Sequence, residues 1–151
     1  MSTNRRTVSR RGALLVLLAA PLVWGCAGDG TGLDEFGNPL TAGVPLGPTL
    51  GSIQANIFTP ICTRCHTGAA APLGLALDAG VARQNLVDVP SVEAPALKRV
   101  DPGKPDSSYV VWKIEGRAGI TGGRMPLGLP PLSAAQIQAI RGWIENGARN
   151  D

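Results

Sequence analysis

Two thiols and an imidazole lie within five residues of one another, at Cys62, Cys65 and His66 in the segment CTRCH. Side chains of these types at this spacing have three established uses in proteins. They bind a metal ion, they exchange thiols with disulfides, or they attach haem covalently. The rest of the sequence decides between these uses, since each one requires further residues or a particular fold.

The first two uses lack a required partner in this chain. A structural zinc site has four ligands, usually cysteine and histidine, but His66 is the only histidine and the third cysteine, Cys26, is distant in sequence. Thiol-exchange motifs of the C-x-x-C type accompany a βαβ pattern, and no convincing strand pattern is present. A disulfide between Cys62 and Cys65 would close a very short loop and stabilise the fold little.

The complete motif, C-x-x-C-H, is typical of c-type haem attachment. On one helical turn Cys62 and Cys65 can reach the vinyl groups of a single porphyrin as thioethers, and His66 then points its imidazole at the iron. The sequence therefore predicts one covalent haem c with His66 as the proximal ligand.

The second axial ligand follows from the small number of candidates. Because His66 is already used, ligation by two histidines of this chain is impossible. Apart from Met1 the chain has one methionine, Met125, in the Gly- and Pro-rich segment GGRMPLG (122–128). A thioether is an established haem ligand, so we expect Met125 to bind the iron. The alternative is a loop methionine without a role.

Residues 1–25 have the layout of a secretory signal. Four arginines precede the apolar segment 13–24, which is shorter than the about 20 residues that a membrane-spanning helix needs. The segment ends in VWGC (23–26), which resembles a bacterial lipobox, although Trp24 is larger than the residues usual there. We therefore expect a lipid on Cys26. The alternative is an ordinary cleavable signal, and the paired arginines leave the twin-arginine export route open.

Charge and composition limit the partners of the exported chain. Without residues 1–25 it has ten basic and eleven acidic residues, a net charge of −1, so the basic residues of the signal account for the basic pI. Nothing in this balance indicates a nucleic-acid partner. Residues 26–50 are rich in glycine and proline, which predicts a flexible tether of about 25–30 Å. We expect a periplasmic or cell-surface protein anchored to a membrane, the outer membrane where the cell has one.

The segment 51–149 is expected to form one small all-α domain with short helices and long loops. Its first three helices have a candidate cap at one end. They are Ser52 before a helix over 53–58, Asp78 before 79–87, and Gly116 at the end of 108–116. The last helix has the most complete pattern, because Ser133 and Gln136 have capping-box spacing and Gly147 lies where glycine ends helices. Few large side chains are available, so we expect a buried cofactor to complete the core.

The segments CTRCH and RMP, followed by a closing helix with the pattern I-x-x-I-x-x-W-I-x-x-G-A, resemble class I cytochromes c. The likeness covers about residues 52–148 and is strongest to the single-haem cytochrome c-like domains of exported bacterial proteins, including those of planctomycetes. It implies a small cytochrome c-like fold around one haem. In that fold Cys62 and Cys65 attach the haem, and His66 and Met125 bind its iron.

The resemblance also implies roles for other residues. Phe58 and Trp143 would lie where the first and last helices cross, and Gln54 stands there in place of the small residue of the mitochondrial type. In such cytochromes a proline carbonyl after the motif accepts the N–H of the proximal imidazole, which points to Pro72. Arg124 is a candidate partner for a haem propionate or a docking protein, or else a solvated loop arginine.

Ligation by histidine and methionine leaves no open position on the iron for a substrate. We therefore expect a carrier of single electrons between redox proteins and not an enzyme. The alternative is a haem enzyme of the peroxidase type, or a gas sensor, in which Met125 is displaced. A peroxidase would also use a distal acid–base group, and the chain has no second histidine.

The lipid on Cys26 can be tested by fractionation. We expect the wild-type protein to partition with membranes and to carry a lipid mass, whereas Cys26→Ser is soluble or remains unprocessed. A wild-type protein recovered wholly in the soluble periplasm would show that VWGC is not a lipobox.

Overall fold

The computed structural model describes residues 44–151, so the predicted signal, Cys26 and most of the predicted tether lie outside the described residues. Within residues 44–151 the chain forms α-helices, shorter helical turns and isolated β-bridges, which is an all-α architecture. The helices are α1 (Leu50–Ile53), α2 (Ala82–Leu86), α3 (Tyr109–Glu115) and α4 (Ala134–Glu145). A π-helical turn, Gln54–Phe58, continues α1, and 3₁₀ turns occur at Cys62–Arg64, Pro72–Gly74 and Pro105–Ser107.

The first helix begins earlier than the sequence predicts. Thr49 is its N-cap, because the Thr49 hydroxyl accepts a hydrogen bond from the Ser52 N–H at 3.3 Å. The hydroxyl of Ser52 is engaged elsewhere, since it donates to the Pro45 carbonyl at 2.8 Å and accepts from the Gly47 N–H at 2.7 Å. The prediction of Ser52 as the cap was therefore wrong. Its side chain fixes the segment that enters the domain.

The second helix is shorter than predicted, and Asp78 does not cap it through its side chain. The Asp78 carbonyl accepts from the Ala82 N–H at 3.0 Å, but the carboxylate bonds back to Thr67 and Gly68. The N-cap position is Val81, which makes no side-chain capping bond. The Asp78 carboxylate thus joins the start of this helix to the chain that follows the CTRCH motif.

The last two helices confirm their predicted ends. Gly116 adopts a left-handed conformation with φ +70° and ends α3. The capping box of α4 is complete, because the Gln136 N–H donates to the Ser133 hydroxyl at 3.1 Å and the Ser133 N–H donates to Gln136 Oε1 at 2.9 Å. Gly147 follows the helix with φ +91°. These local signals fix where both helices lie along the chain.

The core lies between α1, its π-helical continuation, α3 and α4, and Phe58 and Trp143 are both buried in it. Gly142 of α4 lies close to the preceding chain, since a Cβ atom there would come within 2.9 Å of the Pro48 side chain. The Gln54 amide donates to Thr59 and to the Leu77 carbonyl. None of the helices in residues 44–151 has the length and apolar character needed to cross a membrane.

Candidate functional site

The CTRCH motif folds into one turn at the end of the first helical segment. Cys62 begins a 3₁₀ turn, and its carbonyl accepts from the Cys65 N–H at 3.1 Å and from the His66 N–H at 2.9 Å. Both cysteines are free thiols. The turn thus presents the two thiols and the imidazole from one short stretch of backbone, as the motif predicts.

The His66 ring is held by a backbone carbonyl that the sequence did not identify. Its Nδ1 lies 3.0 Å from the carbonyl oxygen of Leu75. A carbonyl only accepts, so Nδ1 carries the proton and Nε2 is the nitrogen with a free lone pair. The prediction of Pro72 as the acceptor was wrong, since the Pro72 carbonyl accepts from the Leu75 N–H at 3.1 Å within its own 3₁₀ turn.

The chain between His66 and Asp78 is closed by bonds at its two ends. The Leu77 N–H donates to the His66 carbonyl at 2.8 Å. The Thr67 hydroxyl and the Gly68 N–H donate to the two carboxylate oxygens of Asp78 at 2.6 Å and 2.9 Å. These bonds, that of Thr67 first, lower the pKa of Asp78 below its ordinary value. The loop that carries the Leu75 carbonyl therefore has a defined position relative to the imidazole.

Arg99, which lies later in the chain, supports the same loop through bonds to backbone carbonyls. Its guanidinium donates to the carbonyls of Leu73 at 2.6 Å and Asn85 at 2.8 Å. Burial lowers the pKa of Arg99. Its hydrogen-bond partners in residues 44–151 are carbonyls, so its positive charge is not neutralised by a carboxylate there. The sequence analysis did not single out Arg99, because these contacts are visible only in three dimensions.

Met125 is held by the last turn of α3. Its N–H donates to the Lys113 carbonyl at 2.9 Å, and its side chain packs against the core cluster. The peptide bond between Met125 and Pro126 is cis. Arg124 donates through Nε to the Ile114 carbonyl at 2.7 Å. The side chain of Arg124 thus ties the methionine loop to α3, a role that the sequence did not predict.

One cleft brings three of the four predicted cofactor residues together. Cys62, His66 and Met125 line it, and Cys65 lies on the same turn with an exposed side chain. Most of the other lining residues are apolar. They include Phe58, Leu77, Leu86, Leu132 and Ile140. The cavity volume of the cleft is about 110 Å³, against the roughly 10–15 Å³ that one water molecule requires. An apolar cleft with a few polar groups is typical of cofactor sites.

Charged side chains also line the cleft, and two of them form a shielded ion pair. Lys113, which is only 8% exposed, lies with its Nζ 2.9 Å from Glu93 Oε2. Burial alone would raise the pKa of Glu93, but hydrogen bonds from Lys113 and Tyr109 and the charge of Lys113 hold that pKa below its ordinary value. The pairing of Lys113 with Glu93 was not predicted from the sequence. The sequence feature that could have indicated a buried charge here is the lysine within the apolar helical segment VVWKI.

The surroundings of Cys62 and Cys65 bear on metal binding and thiol exchange, the alternative uses of these thiols. Within residues 44–151, no three His, Cys, Asp or Glu side chains converge on a position where they could hold a metal ion. Burial raises the pKa of the Cys62 thiol to about 12, whereas thiol exchange needs a readily formed thiolate. An imidazole and a thioether on one apolar cleft are ligands of the kind that haem iron takes.

Comparisons with protein-family models, with curated proteins and with solved structures find no match. The assignment of this site therefore depends on the residues themselves and on their geometry.

Asp78→Asn should weaken the closure of the loop behind His66. Because the folded-state pKa of Asp78 is lowered, its carboxylate stabilises the fold above the ordinary pKa of 3.8, and this stabilisation is lost as the pH falls through the lowered pKa. We expect denaturant titrations to show a smaller free energy of unfolding for Asp78→Asn than for wild type at pH 7, and no difference in strong acid.

The matched control for this change is Glu145→Gln. It also removes one exposed negative charge, and the Glu145 carboxylate makes no hydrogen bond or ion pair within residues 44–151. A deficit in Asp78→Asn that stays the same from neutral to acid pH would show that the charge of Asp78 is not the cause.

Proposed function

We propose that this chain is an exported c-type cytochrome with one covalent haem, which transfers single electrons between redox proteins. The observation that carries the proposal is that Cys62, His66 and Met125 line one apolar cleft, with Cys65 on the turn of Cys62 and His66. A cytochrome c-like arrangement of the helices around the cofactor is part of the proposal.

The residues of the cleft fit a haem in several ways. Cys62 and Cys65 would hold it as thioethers, His66 would bind the iron through Nε2, and Met125 through its sulfur. The apolar walls suit the porphyrin faces, and the unneutralised guanidinium of Arg99 at the lining suits an acidic substituent. When bound, the haem supplies a one-electron iron couple.

The chain's own residues control the environment of that couple. The Leu75 carbonyl fixes the orientation and tautomer of His66 and makes the imidazole a stronger donor. The bond from Met125 to the Lys113 carbonyl fixes the backbone of the second ligand. With both ligand positions filled from within the chain, the iron has no vacant site for a substrate. These features support a carrier in preference to a haem enzyme.

Partner proteins would dock at the mouth of the cleft. Leu73 and Val92 line the cleft and are 52% and 60% exposed, and Leu127 on the methionine loop is 67% exposed. With a net charge of −1 on residues 26–151, long-range steering is weak. Short-range apolar contact at this rim would therefore determine docking to a redox protein. A lipid on Cys26 would hold the domain near its membrane partners.

The role of Met125 is tested by replacing its side chain. If the thioether binds the iron, wild type is low-spin in both oxidation states and reacts slowly with carbon monoxide. We expect Met125→Ala to raise the high-spin fraction and to lower the reduction potential while the haem stays attached. Met125→His should restore the low-spin state at a lower potential, since nitrogen favours ferric iron more than a thioether does. Visible and EPR spectra with redox titrations measure all three proteins.

The matched control is Leu127→Ala, which shortens an exposed side chain of the same loop and should leave the spectra unchanged. A high-spin wild type that binds carbon monoxide quickly would contradict methionine ligation and favour a sensor or peroxidase. If wild type and Met125→Ala were both low-spin at one potential, another side chain would be the ligand. Lys113 lines the cleft, whereas Lys98 is bound to Asp88 and Asp101 away from it.

A further inference from the structure

Both backbone polar groups of Thr121, at the start of the methionine loop, are hydrogen-bonded to side chains of α3. The Thr121 N–H donates to the Tyr109 hydroxyl at 3.0 Å. The Thr121 carbonyl accepts from Lys113 Nζ at 2.6 Å. Tyr109 and Lys113 lie one turn apart on α3, so a single helix face fixes the backbone of Thr121.

Glu93 completes the cluster from a distant part of the chain. Its Oε2 accepts from the Tyr109 hydroxyl at 2.9 Å and lies 2.9 Å from Lys113 Nζ. Because the Tyr109 proton is donated to Glu93, the hydroxyl oxygen is free to accept from Thr121. Tyr109 is 5% exposed and Lys113 8% exposed, so these bonds are partly shielded from water.

The other end of the loop is bound to the same helix. The Met125 N–H donates to the Lys113 carbonyl at 2.9 Å, and Arg124 donates to the Ile114 carbonyl at 2.7 Å. Gly116 makes this approach possible, because a Cβ atom there would lie 2.9 Å from Cδ of Arg124. Lys113 therefore holds the loop twice, at Thr121 through its side chain and at Met125 through its carbonyl.

Stability alone does not account for a shielded ion pair at this place. Replacing a buried pair by apolar residues of similar size is often neutral or stabilising, whereas removing one partner is strongly destabilising. The ion pair of Glu93 and Lys113 instead gives the backbone of Thr121 a fixed position. A fixed start and a fixed end leave the short segment between them few ways to move its methionine.

We propose that Glu93, Tyr109 and Lys113 are positioning residues that hold the loop 121–125 so that the Met125 thioether stays at the iron. The proposal rests on the proposed function, since it assigns a cause to the persistence of methionine ligation. It predicts that removing the hydrogen bonds to the Thr121 backbone releases Met125 from the iron, while the haem stays attached to Cys62 and Cys65.

The experiment uses two variants of the purified haem protein. Tyr109→Phe removes one hydroxyl and keeps the ring. The double variant Glu93→Gln/Lys113→Leu removes both charges, so that neither remains buried alone, and leucine adds no further ligand to the cleft. We expect carbon monoxide to bind the ferrous protein about fivefold faster in Tyr109→Phe, which is the worth of about one hydrogen bond, and faster still in the double variant. Amide hydrogen exchange at Thr121 and Met125 should accelerate in both.

The matched control is Lys104→Leu, which removes a lysine whose side chain is 67% exposed and pairs with Asp101. It should leave carbon monoxide binding and exchange at Thr121 unchanged. Far-UV circular dichroism and the unfolding midpoint confirm that each variant is folded. The single variant Lys113→Leu would leave the charge of Glu93 unpaired, and the double variant avoids this.

The possible outcomes distinguish a failure of the positioning role from a failure of the proposed methionine ligation. A low-spin wild type whose two variants bind carbon monoxide at the wild-type rate, with unchanged exchange at Thr121, overturns the positioning role alone. A high-spin wild type overturns methionine ligation and the positioning role with it. Faster exchange at Thr121 with carbon monoxide binding unchanged shows a structural role only and also overturns the proposal.

Discussion

The hydrogen bond between His66 Nδ1 and the Leu75 carbonyl determines what the rest of the site can do. The chain has one histidine, so the direction of its free Nε2 lone pair decides whether the cleft can hold a metal-centred cofactor. That direction depends on a carbonyl nine residues along the chain, at the end of a short 3₁₀ turn. The Asp78 carboxylate and the Arg99 guanidinium give the loop further support.

The two loops that bear the proposed ligands are held in position by different kinds of contact. The loop behind His66 is closed on itself by Asp78, an exposed group whose bonds compete with water. The methionine loop is instead fastened to α3 by bonds from Lys113 and Tyr109, which are shielded. Helices and irregular segments both line the cleft, and irregular segments carry the proposed ligands. This division is common where function requires geometry that regular elements do not provide.

Sequence reasoning succeeded where the signal was local. The capping box at Ser133 and the left-handed Gly116 are each specified within a few residues, and both helix ends are as predicted. Sequence reasoning failed where a polar side chain had both a local and a distant hydrogen-bond partner within reach. Ser52 and Asp78 are both good N-caps by type, yet each one bonds to a loop. The approach of Glu93 to Lys113 depends on how the chain returns to α3, which no local pattern encodes.

The central claim is that Cys62 and Cys65 bind one haem covalently, and the mass of the purified protein tests it most directly. The protein would be produced with a cytochrome c maturation system, extracted with acid and acetone, and weighed intact. We predict that the haem colour stays with the protein and that the mass is raised by one haem, whereas Cys62→Ala/Cys65→Ala gains none. Haem that leaves with the solvent, or a wild-type mass without the addition, would contradict the account.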